Sequence, residues 1–219
     1  MTSAEAEQPP APPAPLGVVV GLGGDPLTVG LIFFGIASLA VGMALTGRLV
    51  SSASLGAVIP IIALGAGLFQ AIVTVWAIFL GVSIVAVIFS TFSAFWLSLS
   101  ALLLGLHHHW YGITPADATG AQEMFFIAWA CLFLILTIPC LWLPAIYPLA
   151  VFLVFVAMVL AAAAQFTGSQ NLLTATGATA LSFAFLAFYS FVSQAVASMS
   201  GKTVPPLGPP LVRLRPPTR

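Results

Sequence analysis

The sequence predicts an all-α membrane protein, a bundle of six transmembrane helices, and three observations carry that prediction. The 219 residues are 61% apolar and 5% charged, with a mean hydropathy of +1.16. No Asp, Glu, Lys or Arg occurs from Leu49 to Trp110 or from Met124 to Gly201. Within those stretches the apolar character is continuous, whereas a transmembrane barrel alternates in segments of about 10 residues. A soluble domain has about a quarter of its residues charged, so five bases and five acids cannot furnish a water-facing surface. A soluble enzyme, a nucleic-acid binder and a disordered chain are all excluded. Each charge-free stretch far exceeds the roughly 20 residues that cross the hydrocarbon as a helix, so each must fold back on itself.

The first span is read over Thr28 to Leu45, ending at Thr46-Gly47-Arg48. The block from Ser54 to Leu106 divides into two spans at a short turn near Phe79-Leu80-Gly81-Val82-Ser83. A polar interval, His107 to Glu123, precedes a fourth span from Met124 to Leu143. Pro144 and Pro148 mark the break before a fifth span, Ala145 to Gln165. Residues Phe166 to Asn171 have turn chemistry, and Leu172 to Met199 makes the sixth span.

Three regions follow from this division. Residues 1–15, rich in Pro, Ala and Glu, read as an extended flexible tail with no basic region of a signal peptide. Residues 16–201 form the membrane domain. Residues 202–219 form a tail rich in Pro and Arg that carries four of the five bases, which predicts a cell-membrane protein with both termini in the cytoplasm. Gly35, Gly42, Gly56, Gly65 and Gly67 read as close-packing positions between helices. Cys131 and Cys140 read as small apolar fillers.

Chemistry has few places to live. His107-His108-His109 is followed by Trp110 and Tyr111, which favours an interfacial belt over a metal site, since adjacent helical positions point about 100° apart. The hydroxyl-rich run Ser90-Thr91-Phe92-Ser93, with Phe95 and Trp96, suits either self-satisfied helix hydroxyls or the lining of a narrow pore. The amides Gln70, Gln122, Gln165 and Gln194 must face other helices or a cavity, because an unpaired amide in hydrocarbon is costly. No nucleophile-base pair, phosphate-cradling loop or metal-ligand cluster is present, so neither an enzyme nor a cofactor or metal is expected.

Four segments resemble the acetate uptake transporter family of bacterial acetate/succinate transporters and their yeast relatives. Pro13-Ala14-Pro15-Leu16-Gly17-Val18 is similar to the family's Asn-Pro-Ala-Pro-Leu-Gly-Leu, with Pro12 in place of the Asn. Phe89 to Leu97 resembles the family's Phe-Thr-Ser-Tyr-Gly-Ser-Phe-Trp-Leu, with Gln70 at the matching distance upstream. Ala121-Gln122 is similar to the opening of the family's fourth span, and Gly201 to Gly208 resembles its closing Gly-Arg-Thr-Val-Leu-Pro-Ile-Gly. Gln194 stands where bacterial members carry an acid. The resemblance implies a pore in each protomer, a ring-shaped homo-oligomer (a hexamer) and passage of small monocarboxylates, and of succinate in some members, down a gradient or with protons. It further implies Phe92 at the pore constriction, Val154 narrowing it from the fifth span, and Gln165 near a family Asn.

The expected function is therefore passage of acetate-like carboxylates across a lipid bilayer, with Gln70, Ser90, Thr91, Phe92, Ser93, Val154 and Gln165 lining the path. The absence of Lys and Arg deep in the spans favours weak binding and fast release. The alternatives are a channel for neutral solutes such as urea or ammonia, and a membrane anchor that transports nothing.

Overall fold

A computed structural model describes residues 24–47, 56–202 and 204–213. The tail of residues 1–15 and the whole segment Pro13, Ala14, Pro15, Leu16 and Gly17 lie outside the described residues, as do Arg48, Arg215 and Arg219. Six helices long and apolar enough to cross a membrane account for most of the rest: α1 (Pro26–Leu45), α2 (Gly56–Phe79), α3 (Ser83–His107), α4 (Ala118–Cys140), α5 (Ile146–Thr167) and α6 (Gln170–Ser200). No strand occurs among the described residues, which agrees with the all-α expectation.

Local chemistry sets the boundaries. Asp25 caps α1 by accepting from the Leu27 and Thr28 amides at 2.9 and 3.3 Å, and Pro26 opens the helix where its missing N–H costs nothing. The α2–α3 turn falls at the expected place, with Gly81 in the left-handed conformation at φ +70°. Gly168 and Gly201 end α5 and α6 in the same way, at φ +66° and +69°. The largest departure from the expected boundaries is at α4, which begins at Ala118 rather than Met124. Thr119, Gln122 and Glu123 make its first turns, a polar prelude that hydropathy alone reads as loop. Pro148 is absorbed into α5 because the first turn of a helix has no intrahelical acceptor for its N–H groups.

Helix α2 is unusual. Its middle, Ile61–Leu68, is π-helical, and only Phe69–Phe79 runs as a regular α-helix. At the end of the π segment the Gly67 carbonyl accepts a 2.7 Å hydrogen bond from Ser93 Oγ on α3.

The helices form a ring in chain order: α1 packs on α2, α2 on α3, α4 on α5, α5 on α6, and α6 returns to α1. The α1–α6 seam is the tightest. A Cβ added at Gly42 would fall 2.9 Å from the Gly177 carbonyl, and one added at Gly177 would fall 3.0 Å from the Gly42 carbonyl, so the expected role of Gly42 as a packing glycine holds. The α3–α4 seam is closed by rings instead of backbone approach. Phe95 lies 5.3 Å from Trp129 and 5.6 Å from Phe133, both edge to face. Large apolar residues such as Leu64, Ile72, Ile78, Ile135 and Phe185 are exposed on the outside of the ring, as a lipid-facing surface requires.

Residues 204–213 fold back as a strap. Pro210 forms an antiparallel bridge with Pro144, the Val212 amide donates to the Leu141 carbonyl at 3.0 Å, and the Ile146 amide donates to the Leu207 carbonyl at 3.3 Å. Tyr189 Oη and Ser193 Oγ on α6 donate to the Pro206 and Pro205 carbonyls at 3.0 and 2.6 Å. The described part of the C-terminal tail is thus docked across the α4–α5 junction and onto α6.

Candidate functional site: two chambers in line

The inside of the helix ring is filled at mid-height by aromatic side chains. Phe34 of α1 lies 4.4 Å from Phe92 of α3, 5.6 Å from Phe183 of α6, and Phe92 lies 5.2 Å from Phe133 of α4. Phe92 is 3% exposed. Four helices therefore each contribute one ring to a single partition, and such offset contacts add about 0.5–1.5 kcal/mol per pair beyond the area they bury.

A chamber opens on each side of that partition, and Phe34 and Phe92 line both. The first, about 70 Å³, extends toward the C-terminal end of α1 through Val41, Trp96, Leu99, Val154 and Phe183 to Gln122 and Gln165. The second, about 160 Å³, extends the other way through Leu31, Ile88, Phe89 and Val151 to Tyr147 and Gln194. Read along α1, α3, α5 and α6, the two sets of residues run consecutively, so the chambers lie end to end along the ring. Among the described residues, no Asp, Glu, Lys or Arg lines either one.

The polar groups are sparse and mostly engaged. In the first chamber Gln122 Nε2 donates to its own helix at the Ala118 carbonyl, 3.3 Å, and Thr176 Oγ1 does the same at the Leu172 carbonyl, 2.9 Å. Gln165 makes no side-chain hydrogen bond to protein among the described residues. In the second chamber Gln194 Nε2 donates to Tyr147 Oη at 3.1 Å.

The structure distributes the seven sequence-expected path residues unevenly. Phe92, Val154 and Gln165 lie in the chamber walls. Ser90, Thr91, Ser93 and Gln70 do not. Successive α3 residues point about 100° apart, so with Phe92 facing the axis its neighbours must face elsewhere. Ser90 is exposed on the outside of the protomer, and its Oγ and that of Thr91 both donate to the Val87 carbonyl of their own helix, at 3.0 and 2.9 Å. Ser93 is spent on Gly67 in the α2–α3 seam. Gln70 is 0% exposed on α2, and both its amide atoms lack a hydrogen-bond partner among the described residues. An orphaned amide costs roughly 1–3 kcal/mol; the expectation that Gln70 must face a partner or cavity is not met in this protomer.

Sequence reasoning missed Phe34, Phe183 and Tyr147. The two phenylalanines sit in uninterrupted apolar runs with no polar marker. Tyr147 carried a signal, a phenol beside Pro148 at the start of a span, but nothing in the sequence places it opposite Gln194. The histidines lie at and after the end of α3, with the His108 ring stacked on Trp110 at 5.3 Å. No cluster of metal-ligating side chains occurs among the described residues.

A six-helix membrane bundle with paired internal chambers is the class that this geometry defines. Residues 11–209 match the GPR1/FUN34/yaaH family, and the chain belongs to it, which bears out the resemblance read from the four segments. Among solved structures, that of the bacterial acetate channel SatP shares the fold at a TM-score of 0.76 and 20% identity, covering 84% of this chain and 99% of that one. No curated protein matches the chain significantly.

Proposed function

We propose that the protein conducts acetate and similar short monocarboxylates across the membrane, along the axis of the helix ring. The observation that carries this reading is the pair of in-line chambers parted by an aromatic partition, at whose centre the Phe34 and Phe92 rings lie 4.4 Å apart. Rings at such a point exclude a continuous water column and still yield to a small solute by rotating about their side-chain bonds. The similar SatP fold belongs to an acetate channel, which supports the choice of solute.

Walls without fixed charge favour weak binding and quick release over tight anion capture. The passage thus works as a channel, with the acid moving down its gradient, and a dicarboxylate such as succinate is a poor occupant because two charges must shed water together. Phe92 forms the constriction, Val154 narrows the approach and Gln165 receives the solute at one mouth. The termini lie in the cytoplasm, on the side where Lys202 and Arg213 are found. Copies of the chain assemble as a ring, with exposed apolar residues of α2 and α4 meeting lipid or a neighbouring protomer.

Proteoliposomes loaded with the purified chain are expected to take up labelled acetate well above empty vesicles, with urea and succinate much slower. Acetate uptake equal to that of empty vesicles at every pH overturns the proposal, and uptake of urea in its place favours a neutral-solute channel.

A further inference from the structure

Of all the walls in the molecule, that of the larger chamber has the most selective distribution of polar groups. Among the described residues, Tyr147 and Gln194 are its only polar side chains, and they face each other from α5 and α6 while the others lining it are apolar. Their 3.1 Å contact is the one side-chain to side-chain hydrogen bond between spanning helices among the described residues. We propose that this pair is the carboxylate-receiving site of the larger chamber, for monocarboxylates with a short alkyl chain. The inference rests on the function proposed above and adds to it the groups that recognise the solute.

The donor inventory supports this. With Gln194 Nε2 donating to Tyr147 Oη, one amide N–H and the phenol O–H remain free. With the amide turned so that the phenol donates to its oxygen, both amide N–H groups remain free. The first setting offers a carboxylate two donors from atoms 3.1 Å apart, one for each of its oxygens, and the second offers the amide N–H groups alone. Both donors are neutral, so they orient the anion without trapping it.

The same pair is held in place from behind. Ser193, next to Gln194, donates to the Pro205 carbonyl, and Ile146, next to Tyr147, donates to the Leu207 carbonyl. One strap thus fixes the backbone on both sides of the site, and a pre-placed site loses less freedom on binding. Leu31 of α1 and Ile88 and Phe89 of α3, with Val151 one turn along α5, offer an apolar wall to the alkyl chain within about 160 Å³. Asp25, the acid at this end among the described residues, is exposed and accepts from the first-turn amides of α1 and from Thr28 Oγ1 at 2.6 Å.

The test compares acetate with acetamide, its neutral counterpart of nearly equal size, in proteoliposomes of the full chain. Tyr147→Phe is expected to raise the half-saturating acetate concentration about tenfold, as loss of a hydrogen bond to a charged group does, with acetamide flux within about twofold of wild type. Gln194→Met, which keeps the volume, is expected to act the same way and carries the comparison should Tyr147→Phe fail to assemble. Propionate and butyrate are expected to follow acetate. Equal loss of acetate and acetamide flux, or unchanged acetate saturation in both variants, overturns the site while wild-type acetate flux keeps the wider reading standing. Wild-type flux no greater than that of empty vesicles removes the wider reading itself.

Discussion

The two chambers are walled by the same ring of helices and share Phe34 and Phe92, yet they treat polar groups in opposite ways. In the smaller one, the hydroxyl of Thr176 and the amide of Gln122 are bonded to the preceding turn of their own helices. Such bonds need no neighbour, and they leave Gln165 as the one amide of that chamber with no hydrogen bond to protein among the described residues. In the larger one, two helices point a phenol and an amide at each other. A polar residue therefore says little about a path until its partner is known. Hydroxyls satisfied within a helix are part of that helix, whereas groups satisfied across a cavity belong to the cavity.

The most severe way to break this contrast is to fill the smaller chamber. Val154, 1% exposed in its wall, replaced by Trp is expected to lower acetate flux by at least about tenfold, since a larger rigid ring fills the approach to the constriction. A second change removes the partition. Phe92→Ala joins the chambers, and acetate flux is expected to rise several-fold while succinate exclusion weakens. The same variant should lower the thermal midpoint of the detergent-solubilised protein, because deleting a buried Phe costs about 3–5 kcal/mol where the site cannot collapse. A third change sharpens the comparison by being small. Thr176→Val removes a hydroxyl already satisfied at Leu172, and flux is expected to stay within about twofold of wild type. Least of all should Ser90→Ala matter, with flux and thermal midpoint both unchanged, since Ser90 faces outward and bonds only its own helix. A large effect there would place that face of α3 against a neighbouring protomer.

The helices were legible because lipid imposes a requirement that residue type alone can express: about 20 apolar positions in succession. The turn at Gly81 and the breaks at Pro144 and Gly168 were legible for the same kind of reason, as backbone chemistry written in single residues. Where the path runs was legible only in part. The run from Ser90 to Ser93 announces itself by composition, but which of its members faces the axis depends on rotation about the helix, and a shift of one residue moves the answer by about 100°. Phe92 is marked by its place in a family segment, and Ser90, Thr91 and Ser93 by their hydroxyls, but only Phe92 lines the chambers. Phe34 was hidden because an aromatic ring in a transmembrane segment reads equally well as lipid contact, packing or gate. The start of α4 was hidden for the opposite reason, since a polar first turn outside the hydrocarbon resembles a loop.

The wide coil at Ile61–Leu68 has a consequence for the second span as a whole. A π turn consumes more residues than an α turn for the same advance, so the chain before it and the chain after it are out of phase with a regular helix. Excising a single residue there would rotate the upstream portion by about 100° relative to Phe69–Phe79. Ile62 and Ala66, both fully buried, would swing off the packed side, while the hairpin into α3 stayed where it is. The second span thus carries a rotational dial in its own backbone, set by residue count and independent of side-chain chemistry.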